Sequence, residues 1–429
     1  MILLKILCII CGIMILRSKG QKRFNWCICS MLLLSSDIVL SEKPQVLAHR
    51  FFILCFWASV IYRKEYKHVK SPFTIVLIIY AIGFYIIGYH AQALSPFSKV
   101  WKPTAALLDS YLVLPLMFWG TKNITVKTKP IIWSLYIMTI FGFITLAIHD
   151  NPYRDLFNTS PDMAWISSYY FGDRTRITST WSHPITYGFI CTLFFYMLVP
   201  YMKERKIKIL LLFLFGSVMI CGSRTVLFAF MLLGALYILL CYKVTKAIGI
   251  GAIALLLGSL SYLTVPIIHD KVEDVVATAT GSSDTGGSSL DMRDEQLDAS
   301  LFIFSSAPIY GHGPDYVQEQ IMPNQQIYWQ EGLNLYGFES YLYILLIERG
   351  VVGIVMEILV SLALLLYGFR NRRKYKKSAG TIISIWLTFI FFSLSTGVMG
   401  TMTMSLIFIG IMMRRIEDQR QQRIIAINK

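Results

Sequence analysis

Apolar residues in this chain are gathered into long runs, separated by short polar stretches in which Lys and Arg predominate. The runs fall near residues 2–16, 24–41, 46–62, 72–89, 103–120, 130–148, 185–202, 209–222, 225–242, 247–266, 338–368, 379–395 and 400–413. A helix crossing the bilayer core needs about 20 predominantly apolar residues. The pattern therefore predicts an all-α polytopic membrane protein with about 12–13 transmembrane helices and a large external loop bearing short helices. The first run is the weakest, being short and carrying Lys5. No small-residue cleavage site follows it, so it reads as a helix and not a signal peptide.

Composition supports this reading. Of 429 residues, 55% are hydrophobic and only 15% charged, where a soluble chain carries about 25% charged residues. That excludes a soluble protein with one buried core, a disordered chain and a fibre. The formal net charge of +15 would suggest nucleic acid, were it not sorted by loop. Alternate loops (Arg17–Arg23, Arg63–Lys70, Lys122–Lys129, Lys203–Lys208, Lys243–Lys246, Arg370–Lys377 and the tail from Arg414) hold a net +24, the opposite loops −8 and the spans −1. Under the positive-inside rule the basic set faces the cytoplasm, and no nucleic-acid partner is implied. All eight cysteines lie in or at the ends of apolar runs, so no disulfide framework is expected. Cys8 and Cys11 read as small core residues and not a metal pair.

This topology divides the chain into membrane helices over 1–266, an external loop over 267–337, and the last membrane helices with a cytoplasmic tail over 338–429. A second external loop, 149–184, lies inside the first part. Within 267–337, residues 281–289 are small and polar. Leu290, Arg293, Leu297, Leu301 and Phe304 then recur at helical spacing, which predicts an amphipathic helix on the membrane surface. Long loops on the outer side point to work at the outer membrane surface, whereas a transporter keeps its site near the midplane.

On an acidic outer face, Arg174, Arg176, Arg224, Arg293 and Arg349 stand out. Arg224 sits in the very short turn Cys221-Gly-Ser-Arg-Thr225. There it could grip phosphate through its fork of donors or anchor the helix at the interface. Arg174 and Arg176, followed by hydroxyls and His183, could form an anion site or a solvated loop paired with Asp173. Glu339, in the first turn of an apolar helix, could accept a proton or simply suit the helix N-terminus. Gly350 and Gly353 predict a break or close packing. The charges Asp37, Arg50, Asp109 and Glu357 could mark an ion path. No Walker loop, dinucleotide fingerprint, zincin pattern, nucleophile elbow or Asp-x-Asp pair is present, so no metal or other cofactor is expected.

Four motifs in order resemble the bacterial O-antigen polymerase and O-antigen ligase superfamily. They are Arg176-Ile-Thr-Ser-Thr-Trp-Ser-His-Pro184, Gly222-Ser-Arg-Thr225, Arg293 followed by Pro308-x-x-Gly311-x-Gly313, and Glu339-Ser-Tyr-Leu342 ahead of Glu348-Arg-Gly-Val-Val-Gly353. The resemblance implies metal-independent glycosyl transfer at the outer face of the cytoplasmic membrane, from a polyprenyl (undecaprenyl) diphosphate-linked oligosaccharide. It implicates Arg176 and Arg224, with Arg293, in holding the diphosphate. Glu339 and His312 are the candidate bases. Arg174, His183 and the tyrosine of the Tyr341-Leu342 step are further substrate contacts. Ligases of this superfamily usually carry His-Asn where this chain has Glu339-Ser340, which favours a polymerase of O-antigen, capsule or exopolysaccharide repeats, working among membrane lipids with a chain-length regulator as a possible partner. A ligase acting on lipid A-core is the alternative, and a lipid-linked glycan flippase or transporter is the competing class.

Overall fold

The computed structural model describes residues 2–34, 38–42, 45–67, 71–91, 94–155, 177–181, 183–243, 245, 248–249, 262–263, 269, 273, 287–321, 338, 340–397 and 400–427. Most of the run 247–266, with Asp37, Arg174, Arg176 and Glu339, lies outside the described residues.

The other runs all contain helix: α1 (Ile2–Arg17), α2 (Gly20–Leu33), α3 (Ala48–Tyr62), α4 (Thr74–His90), α5 (Pro96–Asp109), α6 (Val113–Gly120), α7 (Lys129–Ile148), α8 (Pro184–Leu198), α9 (Arg205–Ile220), α10 (Arg224–Cys241), α11 (Gly287–Ser306), α12 (Tyr341–Arg372), α13 (Lys376–Leu394) and α14 (Gly400–Ile427). The described residues are 81% helical. Among the described residues, α7, α10, α12, α13 and the segment Pro184–Tyr201 are each long and apolar enough to cross a membrane. The protein is an all-α polytopic membrane protein.

Three runs depart from their expected bounds. The run 24–41 stops being helical at Leu33. Residues Val39–Glu42 and Gln45–Leu47 instead form β1 and β2, an antiparallel pair with Val39 opposite Leu47. The run 103–120 is broken between α5 and α6. Ser110 turns its hydroxyl back onto the Ala106 carbonyl at 2.6 Å, a bond that competes with the helical ladder. Pro115 has no N–H to continue that ladder and so sits in the first turn of α6, where an N–H would be unpaired anyway. The last helix outruns its apolar segment by a full polar stretch to Ile427.

The predicted surface helix is present as α11, but it packs a different face from its apolar stripe. Gln296, Ala299, Ser300 and Ile303 are buried, while Leu301 and Phe302 are exposed. Of the predicted stripe, Leu301 is exposed and Leu297 and Phe304 are half-buried.

Several helices start on local caps. The Ser95, Ser223 and Ser340 side chains accept from the backbone N–H of Ser98, Val226 and Leu342. Such caps satisfy donors that the first turn leaves unpaired. Helix α13 lies at the centre, packed against α10, α12 and α14, while α14 also meets α6 and α12 meets α4. Up-and-down neighbours give the bundle two ends. One gathers the starts of α8, α10 and α12 and the turn after α13. The other gathers their opposite termini and most of the Lys and Arg.

Candidate functional site

Four contacts bring the sequence motifs to one end of the bundle. Cys221 and Val226, on either side of the Arg224 turn, pack on Gly188 of α8 so closely that a Cβ there would lie 2.8 Å from each. Phe189 stacks on Phe392 of α13 with ring centroids 4.2 Å apart. Beyond α13, Gly397 sits against the Phe338 carbonyl. Tyr343 of α12 donates to the Arg293 carbonyl of α11 at 3.3 Å.

Arg224 is the first residue of α10 and half-buried. Gly222, with φ +70°, makes the preceding turn tight, a conformation glycine adopts at little cost. The Arg224 fork therefore projects from a helix N-terminus, where backbone donors and the helix dipole favour an anion. His183 caps α8, its Nδ1 accepting from the Ile185 N–H at 3.3 Å. That bond gives it a structural task beside any contact with substrate.

The segment Pro308–Gly313 docks on a kink in α12. Gly350 there has φ 58° and ψ −160°, which only glycine adopts readily. The kink frees backbone groups, and the docked segment takes them up. His312 N–H donates to the Ile347 carbonyl and Gly313 N–H to the Glu348 carbonyl, both at 2.9 Å. In return Val351 and Val352 donate to the carbonyls of Pro308 and Ile309 at 2.9 and 3.0 Å. A Cβ on Gly311 would lie 2.4 Å from the Arg349 nitrogen. The break expected at Gly350 is present, and this docking is what it is for.

His312 is held by this arrangement. Its ring stacks on Tyr316, and its Nε2 lies 3.1 Å from the Ile303 carbonyl and 3.0 Å from Ser306 Oγ. A carbonyl only accepts, so in the neutral ring the proton sits on Nε2. Nδ1 is then the nitrogen left to take a proton.

Beneath the kink lies a charge cluster that sequence reasoning read differently. Arg349, expected among the external arginines, is buried at 5% exposure. Its Nη1 donates to Tyr80 and Tyr341 at 3.2 and 2.9 Å, and its guanidinium lies 4.3 Å from the Phe84 ring centre. Tyr80 and Tyr111 donate to the two oxygens of Glu357 at 2.9 and 2.6 Å, with Arg349 3.8 Å away. Tyr341, expected to touch substrate, is thus a partner of Arg349. Leu342 beside it, 37% exposed, carries no polar group. Asp109 is likewise engaged, by Arg50 at 2.6 Å and His49 at 3.0 Å. Both described intramembrane carboxylates are therefore satisfied structurally, as buried charges must be.

Further out, Lys102 pairs with Glu319, and the Glu348 carboxylate accepts from the Val317 N–H at 3.2 Å. Asp315 sits among these groups. Burial pushes its carboxyl above the usual range, as do Glu319 and Asp109, against the pull of Lys102 and Arg50. Sequence reasoning missed His49, Lys102, Tyr80, Tyr111 and Asp315. An unpaired charge in an apolar run signals that a partner exists, but nothing in the spacing selects these among 24 tyrosines and 40 cations. Among the described residues no His, Cys, Asp and Glu cluster could hold a metal ion.

Comparison with curated proteins finds no match. A family model described as O-antigen ligase matches residues 209–358. The matched stretch holds the Arg224 turn, Arg293 with the Pro308–Gly313 segment, and the Glu348–Gly353 kink, while Arg176–Pro184 lies before it. Such proteins form a glycosyl-transferring class. Over that stretch, with three of the four motifs gathered at one end of the bundle, the chain is similar to the O-antigen ligase family.

Proposed function

We propose that this protein is a glycosyltransferase that polymerises polyprenyl-diphosphate-linked oligosaccharide repeats at the outer face of the cytoplasmic membrane. The observation that carries the reading is the placement of Arg224, at a helix N-terminus, on the same end as the docked Arg293–Gly350 unit. In the reaction the acceptor hydroxyl oxygen bonds to the anomeric carbon of the donor. The bond from that carbon to the diphosphate oxygen breaks, and polyprenyl diphosphate leaves with the electron pair. Arg224 and Arg176 hold the diphosphate and stabilise the charge it gains, the kind of preorganised electrostatics that lowers such barriers. Arg293 and Arg174 extend the cationic surface. Glu339 or Nδ1 of His312 takes the acceptor proton. The donor's lipid tail stays in the bilayer, and residues 267–337 shape the choice of acceptor.

The test is replacement of Arg176 or Arg224 by Ala, with membrane insertion checked by immunoblot. Loss of polymer with inserted protein is the expected result; full-length polymer from both variants would sink the assignment. Arg224→Lys should fail as well if the fork geometry matters. Glycan joined to lipid A-core, and not lengthened on its carrier, would identify a ligase instead. The transporter class rests on the intramembrane charges. The structure gives Asp109 and Glu357 local partners, which favours the enzyme reading.

A further inference from the structure

At the basic end of the bundle, away from the site above, the termini of α8, α10 and α13 and the middle of α14 leave a partly open cavity of about 220 Å³. Tyr196, Tyr201 and Tyr237 form one part of its wall, and Lys377, Ser378 and Arg415 another. Among the described residues no acidic side chain lines it. The acids nearby are engaged with other cations: Glu417 with Arg420, Asp418 with Arg414, and Glu204 with Lys127. Among the described residues, neither Lys377 nor Arg415 has a carboxylate within ion-pair distance.

The depth is informative. Tyr196 and Tyr237 lie in the last turns of α8 and α10, and Lys377 and Ser378 in the first turn of α13. The cavity is therefore at the level where a spanning helix meets the headgroups, at the end that positive-inside bias assigns to the cytoplasm. Tyr237 lies thirteen positions along α10 from Arg224, roughly 20 Å at the helical rise. The cavity is therefore separate from the proposed transfer site.

We propose that this cavity binds a phosphate group, carried by the headgroup of an anionic lipid in the cytoplasmic leaflet. Arg415 offers a planar fork and Lys377 a point charge, the two standard ways of holding phosphate oxygens. Ser378 adds a hydroxyl at the start of α13, and the tyrosine rings supply an amphipathic wall for the glycerol. A free phosphate ion would satisfy the same groups, so the experiment separates the two sources.

Full-length protein is placed in nanodiscs of phosphatidylcholine alone or mixed with phosphatidylglycerol, and retained lipid is read by native mass spectrometry. Wild type should retain phosphatidylglycerol in preference to phosphatidylcholine. Lys377→Gln with Arg415→Gln should reduce that retention by about fivefold per lost cation. The exposed pair Arg373→Gln with Lys374→Gln, which removes the same charge outside the cavity, should not. Retention through millimolar inorganic phosphate supports the lipid headgroup; displacement by it supports the site with free phosphate as its ligand. Equal loss in both double variants, or no headgroup preference in wild type, would overturn the proposal. Arg415→Lys, which keeps the charge, guards against misfolding and should retain part of the binding. The readout is binding, so its outcome is independent of whether the glycosyl-transfer reading holds.

Discussion

Replacing Gly350 by Ala perturbs the point on which the external unit is mounted. A Cβ at Gly350 would lie 2.6 Å from both the Gly311 nitrogen and the Ile309 carbonyl oxygen, so the docked segment must move away. Holding a non-glycine residue at φ 58° and ψ −160° costs about 1–3 kcal/mol. Four backbone hydrogen bonds cross this junction, each contributing about 0.5–1.5 kcal/mol. If half of them are lost, docking weakens by roughly 2–6 kcal/mol in all. That corresponds to about one and a half to four decades in the docking equilibrium. Hydrogen exchange at His312, Gly313, Val351 and Val352 should accelerate by about tenfold at least, and polymer synthesis should fall with it. Gly249→Ala, where an added Cβ meets nothing, should leave both unchanged. Unaltered exchange at those four amides in the Gly350 variant would refute the docking argument.

Other outcomes follow from the same geometry. Arg349→Met strands the Glu357 carboxylate and should destabilise the protein by about 3–5 kcal/mol; adding Glu357→Gln should recover part of the lost thermal midpoint, and strictly additive losses would show that the two do not interact. The Asp315 carboxyl holds its proton more tightly when folded than when unfolded, so its effect is a loss of stability as pH rises from the ordinary carboxylate range through the raised value. Asp315→Asn, which tolerates the same left-handed backbone, should flatten that fall in a thermal-shift series, and an unchanged profile would remove Asp315 as its source. Asp109→Asn weakens the bonds that hold Arg50 and His49 and should lower the thermal midpoint, whereas Asp109→Asn with Arg50→Met should be less harmful than the single change.

Much of the fold was legible because a membrane chain declares its helices by apolar length, and the bilayer makes few exceptions. Where the reading slipped, a local backbone term beat the apolar signal. Ser110 and Pro115 split one run, and the residues after Leu33 pair as strands though they look as apolar as a helix. The Gly350 break was legible because glycine so near a second glycine in a helix has few other uses. What the break holds was not, since docking depends on residues about forty positions upstream. Arg349 shows the limit most plainly. Its position beside an external motif suggested an outward cation, yet Tyr80, 269 positions upstream, and Phe84, both on α4, help to bury it, and no local pattern announces them. The α11 stripe failed for a related reason: the buried face carries Gln296, Ala299 and Ser300 beside Ile303, and periodicity of large apolar positions does not register the first three.

The proposed reaction sets Arg224, at the start of α10, on a lipid-linked diphosphate and leaves Asp109 and Glu357 to support structure. The direct measurement is the carrier-lipid glycan profile of cells that express wild type, Arg224→Ala, or the Glu357→Gln variant at matched membrane levels. The expected result is long polymer in wild type, polymer retained with Glu357→Gln, and a single lipid-linked repeat accumulating with Arg224→Ala. Full-length polymer from Arg224→Ala, with loss confined to Glu357→Gln, would contradict it.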